Sequence, residues 1–389
     1  MRYPAVIVAM AVSCAAVARA DGPAGAASET GLVAPEEAMK IEALSAEQAR
    51  VLVRRTHDQL ILPGLTTLDA ATAAALAEFR GGALDLSGLT AIDTDTAAAL
   101  ASAGVHQLNL SGLTALDAAV AAKLTGFKGG RLPPEKHVGD EYLVLDGLTA
   151  LDARTAAALM PLDGPALSLD RVATLDAETA AALAATGCRG LNLNGVSTLD
   201  TETAVALAAF SGEFLGLNGL TDVDAATVRA LARFRGRQLH LWGLTALDAE
   251  TAAALVEPPR AVVCLPGLTA LDAETAAVIT ACKAWVGQTP ALATLDAGAA
   301  AALAACDRWD GQLPACTGFE AADSIETARA LATRKGPLAL PNLRRASAKT
   351  LAALVVKRDV EIPAIETLEL IPEPDGSQSE DFVIPEGFR

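Results

Sequence analysis

A 24-residue period constrains this chain more than any other feature. The stretch LHLWGLTALDAETAAAL at Leu239–Leu255 returns as LNLSGLTALDAAVAAKL at Leu108–Leu124 and as LNLNGVSTLDTETAVAL at Leu191–Leu207. Each copy can be numbered from one acidic or hydroxyl residue, position 0. These are Ser45, Asp69, Asp93, Asp117, Asp152, Asp176, Asp200, Asp224, Asp248, Asp272, Asp296, Ser324 and Ser347. Their spacing is 24 except at three places, where it is 35 (Asp117 to Asp152), 28 (Asp296 to Ser324) and 23 (Ser324 to Ser347). A fixed period of about 20–50 residues marks a solenoid of stacked units, none of which can bury its apolar side alone.

Within a copy the pattern changes from strand to helix. Leu239 and Leu241 alternate with His240 and Trp242, the period of a strand buried on one face. Gly243 follows, where a tight turn with positive φ is expected. Asp248 then precedes an Ala-rich run, the place of a helix N-cap, where a carboxylate accepts from free backbone N–H groups. Ala252, Leu255 and Val256 form the inward stripe of that helix. Phe recurs at position +10 as Phe79, Phe127, Phe210 and Phe234, and glycines such as Gly81, Gly104, Gly129, Gly187 and Gly236 are expected to end the helices. The fold class is therefore α/β: a solenoid of about 13 strand-turn-helix repeats. Strands stack at about 4.8 Å and helices at about 8–10 Å, so the parallel sheet is expected on the concave face and the Ala-rich helices on the other.

The motif L-x-L-x-G-L-T-x-L-D-x-x-T-A-x-A-L resembles the leucine-rich repeat family, in a short bacterial variant, over roughly residues 41–370. The resemblance implies a curved solenoid that binds proteins or glycans along its concave sheet. Gly, not Asn, follows the strand at Gly88, Gly112, Gly195, Gly219 and Gly243, so no asparagine ladder is expected at that position.

The ends differ from the array. Arg2, the apolar run Ala5–Val17 and Ala18-Arg19-Ala20 read as a signal peptide over residues 1–20. Cys14 leaves a lipoprotein alternative open. Export to the periplasm, cell surface or extracellular space follows. Residues 21–40 read as a flexible linker and 371–389 as an acidic disordered tail, with one apolar contact at Phe382-Val383-Ile384. Eleven extra residues within Gly126–Tyr142 read as a loop whose Lys128, Arg131, Lys136 and His137 make a basic spot.

Thirty Lys and Arg against 47 Asp and Glu give a net charge of −17, which argues against nucleic acid as a partner. No segment has the roughly 20 uninterrupted apolar residues of a transmembrane helix. Five cysteines remain after the leader: Cys188, Cys264, Cys282, Cys306 and Cys316. They read mainly as core residues, with a Cys306–Cys316 staple as the alternative.

Positions −8 and −6 are expected to face solvent as a flat polar surface with spare donors and acceptors. On it, His240 and Trp242 share one strand and Phe214 sits on the strand before, three exposed aromatics in a chain that is only 3% Phe, Trp and Tyr. With Asn194 and Asn218 they form the candidate binding site. His240 and Cys264 occupy matching positions, which admits a thiol-dependent enzyme or a metal pair, but a third group is not evident and no P-loop, H-E-x-x-H or G-x-S-x-G motif occurs. No catalytic residue, metal site or cofactor is assigned. The expected function is a non-enzymatic scaffold of the cell envelope that binds a protein or glycan, with a ligand-free surface spacer as the alternative.

Overall fold

The computed structural model describes residues 40–130, 142–256 and 262–373, and leaves out the side chains of residues 256 and 262–264. The proposed signal peptide, the linker up to residue 39, the basic residues Arg131, Lys136 and His137, and Phe382-Val383-Ile384 lie outside the described residues.

Among the described residues thirteen helices of 6–10 residues follow the thirteen copies, from Ala46–Arg55 to Ala348–Val355. All but the one at Ser324 begin where the sequence places the cap. Asp224 has extended backbone, and its Oδ1 accepts from Thr227 N–H at 2.6 Å. The same bond recurs from Asp69 (2.7 Å) to Asp272 (2.8 Å). Ser45 makes a reciprocal capping box with Gln48. The Thr at +3 links neighbours as well. Thr72, Thr96 and Thr275 are buried, and their hydroxyls donate to Leu44, Leu68 and Leu247 carbonyls of the coil before, each at 3.4 Å. Ser324 departs from this scheme. It lies inside its helix, and Asp323, the residue before it, caps without a side-chain bond of its own. Asp323 instead reaches back to the preceding helix, accepting from Ala297 N–H at 2.9 Å.

Strands between the helices form one parallel sheet of nine. It runs from Gln59–Ile61 through Ala83–Asp85, Gln107–Asn109, Tyr142–Val144, Ala166–Ser168, Gly190–Asn192, Phe214–Gly216 and Gln238–His240 to Val262–Cys264. Register is kept coil to coil, with Leu191 beside Leu215 and Leu215 beside Leu239. The leucines at −9, −7, −4 and +7, such as Leu215, Leu217, Leu220 and Leu231, are fully buried between sheet and helices. This single continuous core is what short Ala-rich helices require, because a helix of two turns is not stable alone. Phe210 and Phe234 stack at 6.1 Å inside it.

The glycine at −5 has a different cause from the one expected. Its φ is not positive at Gly88, Gly112, Gly195, Gly219 or Gly243; among the described glycines only Gly129, Gly164, Gly287 and Gly311 are. Instead a Cβ on Gly219 would lie 2.3 Å from Asn194 O in the coil before, and one on Gly243 2.2 Å from Asn218 O. Close backbone approach between coils fixes these residues. Gly81, Gly212 and Gly236 do not end helices either, since the helices stop several residues earlier. They give room to the +10 phenylalanine ring, which a Cβ would meet at 2.1–2.3 Å.

After Cys264 the pattern loosens. Ala270–Leu271 pairs Thr294–Leu295, Leu338–Ala339 pairs Val360–Glu361, and Arg345–Ala346 pairs Glu369–Leu370. Ile365 is in a 3-10 turn, Ile365–Thr367. Here the core holds Trp285, Trp309, Cys282, Cys306 and Cys316. The three cysteines and Cys188 are free and buried, so no Cys306–Cys316 staple forms. Burial pushes the Cys188 and Cys316 thiols up to about 11. Glu373, expected in the tail, is buried and accepts from Lys349 N–H at 3.1 Å.

Candidate functional site

The outward columns at −8 and −6 begin with a backbone problem. The N–H at −6 comes just after the strand, where the sheet offers it no carbonyl, and a buried N–H without an acceptor costs about 1–3 kcal/mol. The chain answers in three ways. In the early coils the −8 side chain of the same strand accepts: Asp85 Oδ1 from Ser87 N–H at 2.9 Å, Asn109 Oδ1 from Ser111 N–H at 3.0 Å. In the middle coils the −6 side chain of the coil before accepts. Asp146 holds Asp170 N–H (2.9 Å), Asp170 holds Asn194 (3.2 Å), Asn194 holds Asn218 (3.1 Å) and Asn218 holds Trp242 (3.1 Å). Later, Pro266, Pro290 and Pro341 stand at −6 and have no N–H to satisfy.

A side-chain ladder therefore exists, one residue before the glycine where it was not expected. It takes up donors and acceptors that the sequence left spare. Asn194 is committed at both amide atoms, since its Nδ2 also donates to Asp170 Oδ1 at 2.9 Å. Burial, together with the neighbouring Asp146 carboxylate, raises the Asp170 pKa against the hydrogen bonds from Asn194.

Beside the ladder lies a row of rings. Tyr142 and Phe214 approach to 6.4 Å although two strands separate them. The intervening residues at the same level are Ala166 and Gly190, and a Cβ on Gly190 would fall 2.0 Å from the Phe214 ring. Phe214 then stacks on His240 (6.4 Å, 15°), and His240 meets Trp242 (5.4 Å, 30°). Phe214, His240 and Trp242 are thus brought together as the sequence suggests. They are half-buried rather than exposed, because they pack on one another. Burial lowers the His240 pKa, so the ring stays neutral to lower pH than an exposed histidine would. The Trp242 indole N–H is buried with no hydrogen-bond partner among the described residues.

Tyr142 was missed by sequence reasoning. It sits at −10 like Phe214, but the 35-residue spacing before Asp152 hides that frame; counting ten back from Asp152 finds it. The ladder also had a signal, the run Asp146, Asp170, Asn194, Asn218 at −6.

His240 and Cys264 are register partners on adjacent strands, and the Cys264 side chain lies outside the described residues. Among the described residues no three His, Cys, Asp or Glu side chains are placed to hold a metal, and no helix is long and apolar enough to cross a membrane.

No family profile and no curated protein matches this chain. Several solved structures align with it in part. The structure of the Toll–Spatzle complex, a molecular hub in Drosophila development and innate immunity, aligns over 79% of this chain and 43% of its own, at 12% identity and a TM-score of 0.44. The TLR13–ssRNA13 complex aligns over 85% and 50%, at 16% identity and 0.37. The Rad7–Elc1 complex in yeast aligns over 87% and 80%, at 14% identity and 0.36. This chain spans half or less of the length of the first two. With its parallel strands and flanking helices, the architecture is an α/β solenoid.

Proposed function

We propose that this chain is a non-enzymatic, exported repeat scaffold of the short bacterial leucine-rich-repeat type, and that it binds a protein or glycan of the cell envelope through its sheet face. The observation that carries this reading is the ring row from Tyr142 to Trp242. Five phenylalanines and two tryptophans are buried in the core, at Phe79, Phe127, Phe210, Phe234, Phe319, Trp285 and Trp309. Phe214, His240 and Trp242 keep part of their surface free on the sheet. Aromatic side chains that are rigid and half-desolvated are the usual anchors of an interface. Asn218 adds a donor, its Oδ1 being fixed by the ladder, and Asn194 holds Asn218 in place. The −8 and −6 columns from Ile61 to Trp242 carry Asp85, Asp146 and Asp170 but no Lys or Arg, so a polyanion such as nucleic acid finds no counter-charge there.

The test is fluorescence. Trp285 and Trp309 are buried, so the emission of Trp242 is the one a ligand on the sheet would change. Mature protein titrated with defined envelope glycans and with soluble envelope proteins should show a shift with at least one of them. Phe214→Ala/Trp242→Ala should then weaken that binding, read by calorimetry, at least tenfold while melting cooperatively. Unchanged affinity, or no binder in the panel, would leave the spacer reading instead.

A further inference from the structure

The two ends of the solenoid are unfinished in complementary ways. Among the described residues the first element is a helix, Ala46–Arg55, with no strand of its own coil; the last regular coil begins with a strand, Val360–Glu361, and has no helix. Exposed apolar residues gather there. Of six large hydrophobics that are exposed among the described residues, Val51 (43%) and Ile61 (44%) lie at the first end and Leu370 (58%) at the last. Terminal coils of a stable monomeric solenoid are normally polar on the outer side.

The backbone is complementary too. At eight coil-to-coil steps the −7 N–H donates to the −8 carbonyl of the next coil, as in Leu62 to Asp85 (2.9 Å), Leu217 to His240 (2.9 Å) and Leu340 to Glu361 (2.8 Å). By that register the acceptor at the first end without a partner among the described residues is Ile61 C=O, and the donor at the last is Ile362 N–H. Pro63 and Pro363 stand at −6 at the two ends, so neither needs the side-chain ladder. Charge is complementary as well. Residues 40–62 hold four Lys and Arg against three acids, and residues 357–373 hold two against five.

We propose that a second copy of this chain docks head to tail, its first helix lying on the last helix Ala348–Val355 and its strand Gln59–Ile61 continuing the edge Val360–Glu361. The contact covers Val51 and Ile61 and makes the Ile362-to-Ile61 bond. Lys40–Leu44 would share a level with Glu369–Glu373, so this short segment swings aside. It is held by two long hydrogen bonds, Thr66 N–H to Glu42 O and Thr72 Oγ1 to Leu44 O, both 3.4 Å, and by the packing of Ile41 and Leu44 against the core, which the docked copy's contact must replace. Because the two surfaces differ, the contact does not close on itself and the assembly is open-ended. It is independent of any ligand on the sheet.

Sedimentation and cysteine trapping of the full mature chain test this. In register, Ile61 and Glu361 of two copies would sit about 4.8 Å apart, within disulfide reach, and both are exposed. Ile61→Cys mixed with Glu361→Cys should give a crosslinked dimer under mild oxidation, each variant alone none, and the double variant a ladder of multimers. Unmodified protein should sediment as a concentration-dependent series, and Val51→Asp should return it to monomer. Three results overturn the proposal. One is a monomer at all concentrations with no ladder. Another is Ile61→Cys crosslinking to itself. The third is a monomer that associates only after residues 374–389 are deleted, which would give the surface to the chain's own end.

Discussion

The array up to Cys264 and the coils after it solve the same packing problem with different chemistry. In the array, the −6 N–H is held by a side chain, either Asp85 and Asn109 within a strand or the Asp146-to-Asn218 ladder between coils. In the later coils it is removed by Pro266, Pro290 and Pro341. At +10 the array buries Phe79, Phe127, Phe210 and Phe234, whereas the later coils carry Cys282, Cys306, Arg334 and Lys357. The cations fit because they are satisfied. Lys357 Nζ donates to Arg334 O (2.7 Å) and pairs with Asp359 (2.6 Å), and the Arg334 guanidinium lies 4.8 Å over Trp309. The Trp309 indole in turn donates to Thr289 Oγ1 at 2.9 Å. Uniform coils repeat one bond many times; irregular coils need a particular partner for each group.

That contrast can be broken by substitution. Phe234→Ala should cost about 3–5 kcal/mol, because it opens a void beside Phe210, and Cys306→Ala in the same column should cost no more than about 1 kcal/mol. Chemical denaturation would show the difference in midpoint, and equal effects would mean that the column is not one structural site. Next is Gly219→Ala, expected to destabilise by about 1–3 kcal/mol through overpacking against Asn194 O. Gly318→Ala, whose Cβ meets nothing nearer than 3.4 Å, should be close to neutral. Asn194→Ala leaves Asn218 N–H without its acceptor and should cost about 1–3 kcal/mol. Asn342→Ala, which removes an exposed bond to Pro314 O, should fall within about 0.5 kcal/mol of the parent.

The smallest effect per site comes from pH. Eight cap aspartates, from Asp69 to Asp272, have pKa values held below the usual 3.8, chiefly by the backbone N–H and then the hydroxyl of the Thr at +3. A folded pKa below the unfolded one means that the stabilisation is complete above the unfolded value and is lost as pH falls through the folded one. The last helix is capped by Ser347, which does not titrate. Hydrogen exchange below pH 4 should therefore open helices of the array before the Ala348–Val355 helix. Uniform opening would mean that the caps do not set the acid response.

Much of the fold was legible because it is written thirteen times. Period 2 followed by an Asp-capped apolar helix admits few arrangements, and repetition forces the copies to stack; the leucines at −9, −7, −4 and +7 could be placed inward from spacing alone. The candidate site was partly legible: Phe214, His240 and Trp242 do meet, since −10, −8 and −6 share a face. Their half-burial was not, because it depends on Ala166 and Gly190 being small enough for Tyr142 and Phe214 to lie toward each other. Nor was the reason for the −5 glycines, which concerns a carbonyl 24 or more residues away rather than the local φ. Position along the chain is set by sequence period; the distance between one coil and the next is a property of the stack. The ladder, the room for rings and the incomplete ends all depend on that distance, so only the tertiary structure decided them.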